Sequence, residues 1–193
     1  AANSDDTLLL EGGRTFYENL TIPIGLTLRG GYDGCGSGLS DPTTIDGGAS
    51  DRVIEVDLGL DVTLENLNIT NGNTGGDGGG VSFAGGAGTG NLTLTNVAIY
   101  GNRATWGGGL WVGMEAEVHG TDVQIYDNTA GDYGGGVRLY GGRATFENST
   151  IHDNAAPQGA GVYGTEEGGH SPVLNLPTSA DLHDNQALTD DGF

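Results

Sequence analysis

The sequence predicts an all-β fold, a right-handed parallel β-helix with three short strands per coil and about six to seven coils. Three observations carry that expectation. A motif ending in Asn recurs along the chain, a glycine-rich turn follows it in fixed phase, and no segment holds helical periodicity over ten or more residues.

The Asn motif stands at Ile69-Thr-Asn-Gly, Ile99-Tyr-Gly-Asn, Ile125-Tyr-Asp-Asn, Ile151-His-Asp-Asn and Leu182-His-Asp-Asn, at spacings of 30, 26, 26 and 31 residues. Its partner is Gly78-Gly-Gly-Val81, Gly107-Gly-Gly-Leu110, Gly134-Gly-Gly-Val137 and Gly159-Ala-Gly-Val162. Apolar or small residues precede each isoleucine at alternating places: Leu67, Leu64 and Val62; Val97, Leu94 and Leu92; Val123, Gly120 and Val118. Alternation, a break and alternation again read as two short strands about a corner. That corner falls at Glu65-Asn66, Thr95-Asn96, Thr121-Asp122 and Glu147-Asn148, residue types that bond to nearby backbone in turns. A third strand follows the glycines, with Val81 and Phe83, Leu110 and Val112, or Val137 and Leu139 inward. A unit of about 26 residues is too short for a propeller blade of some 40. Coils stacked about 4.8 Å apart turn equivalent positions into ladders. Asn102, Asn128, Asn154 and Asn185 are expected to form one inside a corner, where stacked amides satisfy backbone groups.

The whole chain, 1–193, reads as one domain. Residues 1–61 are irregular opening coils, with candidate strands at Leu8–Leu10, Leu20–Ile22, Leu26–Leu28, Thr44-Ile45 and Val53–Val56. Residues 62–193 are the regular repeats, and the last coil stops midway at Phe193. Gly31–Pro42, Ala84–Asn91 and Gly164–Pro172, rich in Gly, Ser or Thr, are expected loops. Ala1 lies just before the first strand, so both ends are expected to be open, closed by further coils or by copies of the same chain.

Composition narrows the function. Against 26 acidic residues stand six arginines and no lysine, a formal charge of −20 that repels nucleic acid and anionic lipid. Apolar runs such as Leu8–Leu10 and Leu110–Val112 are far short of a bilayer span, so membrane insertion by this segment is not expected. The single cysteine, Cys35, rules out an internal disulfide framework.

The coupled elements, as in Ile99 to Leu110 and Ile125 to Val137, resemble the repeats of the polymorphic outer membrane protein family and of secreted β-helix proteins with the pectin-lyase-like fold. The resemblance covers residues 62–193 and extends less distinctively over Leu8 to Asp46. Gly72, Ala160 and the closing Asp190–Phe193 depart from it. It implies a secreted or cell-surface protein, often adhesive, and no fixed catalytic residues.

Candidate sites follow from the outward columns. Tyr100, Tyr126, His152 and His183 follow each isoleucine, and Trp111, Arg138 and Tyr163 line the third strand; aromatic faces at coil spacing suit stacking on sugar rings, with Arg adding hydrogen bonds. The bland reading of either column is a cross-strand ladder. Asp127, Asp132, Asp153 and Asp184 crowd one corner, where carboxylates and glycine carbonyls offer Ca2+ its oxygen ligands. His152 and His183 could share a metal with Asp153 or Asp184, a weaker reading than a stacked pair, since His119 and His170 lie elsewhere. Glu55 and Asp57 are the best catalytic pair, but the positions before each isoleucine, Asn68, Ala98, Gln124 and Thr150, build no acidic cleft around them. The function expected is therefore an extracellular structural or adhesive module offering a rigid lateral surface to a glycan or cell-surface protein. The alternatives are a polysaccharide-acting enzyme and a self-stacking subunit of an extracellular assembly.

Overall fold

A computed structural model describes residues 6–34, 40–85 and 90–188; Cys35 and the closing Asp190–Phe193 lie outside them. Within that range the chain winds as a parallel β solenoid with three sheets. The first sheet runs through Asp6–Glu11, Leu26–Tyr32, Val62–Thr70, Asn91–Tyr100, Glu117–Tyr126, Arg143–Glu147 and Val173–Asn175 in that order. The second holds Arg103–Trp106, Thr129–Tyr133, Ala155–Ala156 and Gln186–Ala187. The third holds Leu20–Ile22, Ile54–Val56, Val81–Phe83, Leu110–Val112, Val137–Tyr140 and Val162–Thr165, one strand for each of six coils.

The strands are distributed differently from the expectation. Before Ile151 and Leu182 the two segments are separate strands, Arg143–Glu147 and Thr150–His152, then Val173–Asn175 and Asp181–His183. Before Ile69, Ile99 and Ile125 they are one strand, as in Val62–Thr70, bent where Asn66 adopts φ 55°. Asn96 and Asp122 bend the next two in the same way, at φ 51° and 56°. One left-handed residue turns the chain while the ladder resumes on both sides, so a bend replaces the corner. Asn and Asp tolerate that conformation better than other side chains. The strand missing from the sequence reading is the second sheet. Its inward residues are alanines, Ala104, Ala130 and Ala156, all buried, which give no large apolar alternation to detect. The loop expected from Gly164 instead begins after Thr165, because Gly164 and Thr165 pair with Leu139 and Tyr140.

The core is a stack of side-chain columns. Ile45, Ile69, Ile99, Ile125, Ile151 and Leu182 occupy one register, and the first five are 0–1% exposed. Burying each such side chain is worth about 1.5–3 kcal/mol. Leu64, Leu94, Gly120 and Phe146 form another column, in which the glycine makes room for the phenylalanine: a Cβ there would meet the Phe146 ring at 2.4 Å.

Between the first and second sheets runs an amide ladder. Asn102 Nδ2 donates to Asn128 Oδ1, Asn128 Nδ2 to Asn154 Oδ1 and Asn154 Nδ2 to Asn185 Oδ1, each at 3.0 Å. Each of those oxygens also accepts the backbone N–H of the previous rung at 3.0–3.1 Å. Where the motif has Gly72, its backbone N–H donates to Asn102 Oδ1 at 2.8 Å and continues the ladder without a side chain.

Candidate functional site

The outer face of the third sheet carries one column, Thr21, Glu55, Ser82, Trp111, Arg138 and Tyr163, in strict register. A second column stands at the end of the second sheet: Asp77, Trp106, Tyr133 and Gln158. Each of these precedes a glycine turn, and bare turn backbone separates the two columns. Gly134 shows why. It sits at φ 68°, and a Cβ would lie 2.5 Å from Val137 O and 3.0 Å from Arg138 Cα, so the turn folds back against the outer face of the sheet. The columns close round a cleft of about 390 Å³ lined by Asp77, Trp106, Trp111, Tyr133, Arg138 and Tyr140.

Arg138 is the centre of this cluster. It is only 6% exposed, and its guanidinium carbon lies 4.8, 5.3 and 5.6 Å from the ring centroids of Tyr163, Tyr133 and Tyr140. Tyr133 packs on Tyr163 at 4.7 Å, and Trp111 on Tyr140 at 6.2 Å. The electron-rich faces of three tyrosines thus hold the cation where water would otherwise solvate it. Nη2 donates to Thr165 Oγ1 at 2.7 Å, whereas Nη1 is buried with no acceptor among the described residues. Burial pulls the guanidinium pKa down, and the three tyrosines and Asp77 act against that. Asp77 shows the opposite sign: burial raises its pKa, and the positive charges of Arg52 and Arg138 oppose the rise. Arg52 pairs instead with Glu55 at 3.2 Å and reaches Asp51 at 3.9 Å. Among the described residues Asp77 and Arg138 thus feel each other's charge without forming an ion pair.

A family model described as "right handed beta helix region" matches residues 41–175, more than half of the chain. The chain belongs to this family of right-handed β-helices. A search of the curated proteins found no match, nor did a search of the solved structures.

The β-helix places the other candidates as follows. Tyr100, Tyr126, His152 and His183 form a continuous stack with centroids 5.0–5.2 Å apart and planes within 8° of parallel. The rings cover one another's faces, so this column offers a sugar little beyond its edges. The His152 and His183 planes are 3° apart, and the nitrogen lone pairs in those planes run parallel without converging on a common ion. Nδ1 of each contacts the next aspartate, His152 with Asp153 at 2.7 Å and His183 with Asp184 at 3.0 Å. Asp127, Asp153 and Asp184 occupy one corner column, all exposed and left-handed with φ of 54°, 54° and 52°. Asp132 stands apart from them, beside Tyr133 at the cleft end of its strand. Among the described residues no group of three or more His, Cys, Asp or Glu side chains is placed to hold a metal.

Glu55 belongs to a different column from the one expected. It is in register with Ser82 and Trp111 on the third sheet, not with the positions before each isoleucine. A turn at residues 47–50 separates Ile45 on the first sheet from Ile54–Val56 on the third and moves the chain to another face. Asp57 lies beyond the end of Ile54–Val56 and is exposed. Asp77, Trp106, Tyr133 and Tyr140 were not among the sequence candidates. Three of them do have a signal, since each immediately precedes a glycine triplet; Tyr140, one residue beyond the inward Leu139, has none.

Proposed function

We propose that this β-helix is an extracellular adhesive module that binds a glycan on its lateral face, with the cleft between Trp106 and Trp111 as the sugar site. One observation carries the reading: both tryptophans of the chain meet in a single cleft beside a buried arginine. Tryptophan faces stack on the C–H faces of sugar rings, while neighbouring polar groups take the hydroxyls. The solenoid supplies rigidity, because the strand of Trp111 is paired on both sides and Trp106 is held by pairing with Tyr133 on one side and a bridge to Asp77 on the other. The repeats resembling those of polymorphic outer membrane proteins and the lysine-free, acidic composition favour a secreted setting.

The test is titration with a panel of oligosaccharides, read by tryptophan fluorescence excited at wavelengths that tyrosine does not absorb, which reports on this cleft because both tryptophans of the chain line it. Binding is expected for at least one class of oligomer. Trp111→Ala should weaken it about 10- to 100-fold, in line with loss of a buried aromatic anchor. Trp106 is 37% exposed, so Trp106→Ala should weaken binding with little change in unfolding midpoint. A glycan that binds both variants as tightly as the parent protein would place the site elsewhere.

A further inference from the structure

We infer that the cleft selects an uncharged sugar, whose hydroxyls bridge Asp77 and Arg138. The inference rests on the glycan-binding reading and narrows it to a ligand class.

The two charged groups of the cleft are of opposite sign, lie within electrostatic reach and are not bonded to each other. One is only an acceptor when ionised and the other only a donor. Arg138 spends Nη2 on Thr165 and leaves Nη1 without an acceptor, and an unfilled N–H in a buried site is costly. A hydroxyl both donates and accepts, so neighbouring hydroxyls of one sugar ring can serve both partners at once. A charged sugar meets one of the two as a like charge. A uronate carboxylate is attracted by Arg138 but repelled by Asp77 and by the net charge of −20. A hexosamine ammonium is attracted by Asp77 and by the net charge of −20, whose long-range part salt screens, but at contact it faces Arg138 and Arg52, the two cations whose fields already act on that carboxylate. The aromatic walls stack on any pyranose, so the discrimination comes from this charge pair.

The experiment measures tryptophan fluorescence of the whole chain during titration with neutral hexose, uronate and hexosamine oligomers of equal length, at low and at physiological salt. The neutral oligomer is expected to bind at least about tenfold more tightly than either charged one, the scale of one lost charge-assisted hydrogen bond. Tighter binding of the uronate or the hexosamine overturns the inference and leaves glycan binding standing. Binding of none of the three overturns both. Asp77 is half-buried and outside the core, so Asp77→Asn should fold, and it should narrow the gap between neutral and uronate oligomers about tenfold. An unchanged gap in that variant also overturns the inference.

Discussion

Each rung of the Asn ladder is held at both ends, and that sets the consequence of removing it. Asn128 is fully buried; its Nδ2 also donates to Ile99 O at 2.9 Å, and its Oδ1 takes both the side chain and the backbone N–H of Asn102. Asn128→Ala orphans those two donors, each worth about 1–3 kcal/mol when left unpaired in a buried site. Asn185→Ala orphans the equivalent two donors of Asn154, but both bonds are only part-buried and Asn185 itself is half-buried, so its removal opens those donors to water. Chemical denaturation is expected to show a loss of about 3 kcal/mol or more for Asn128→Ala and clearly less for Asn185→Ala. Equal losses would show that the ladder does not act through buried amides. His183 supplies a pH test on the same corner. Its contact with Asp184 raises its pKa above the ordinary value, so the associated stability is present below the unfolded value and is lost as pH rises through the folded one. Asp184→Asn should lower that pKa, read from the His183 ring protons in an NMR titration.

At the scale of the turn, glycine is required for reasons that differ from one position to the next. Gly134 needs the left-handed conformation, whereas Gly136 needs the absence of a Cβ, which would sit 2.6 Å from Gly161 O and 2.9 Å from Asn154 Nδ2. Gly75 needs neither: a Cβ there meets nothing within 4 Å. Gly136→Ala should therefore destabilise by about 1–3 kcal/mol, as overpacking does. Gly75→Ala should be neutral or stabilising by up to about 1 kcal/mol, through the unfolded state. Thermal unfolding distinguishes the two, and comparable losses would mean that glycine at both sites answers to the same demand. The close turn is also what brings Tyr133 and Arg138, five residues apart in sequence, to one cleft.

Across the whole molecule each coil touches only its neighbours, so stability should grade along the axis. Ile99 and Ile125 are fully buried, whereas Leu182 in the same column is 45% exposed. Amide hydrogen exchange is expected to be slowest in Asn91–Tyr100 and Glu117–Tyr126 and faster by orders of magnitude in Asp181–His183. Uniform protection would point to a single cooperative unit in place of a graded solenoid.

The sequence by itself determined the repeat, and with it the coil: isoleucine, asparagine and glycine recur in phase because each coil buries the same columns. It also identified Trp111, Arg138 and Tyr163 as outward residues of one strand face, since alternation is local. It did not determine how the strands divide among the sheets. The bend at Asn66 and the alanine strands such as Thr129–Tyr133 depend on a single left-handed residue and on how narrow a corner is, which composition does not record. Nor did it determine the cleft. Trp106 and Tyr133 face Trp111 and Arg138 only because a glycine turn folds one sheet edge back towards the next, and the partner of a side chain across that turn is set by the geometry of the turn, not by spacing along the strand.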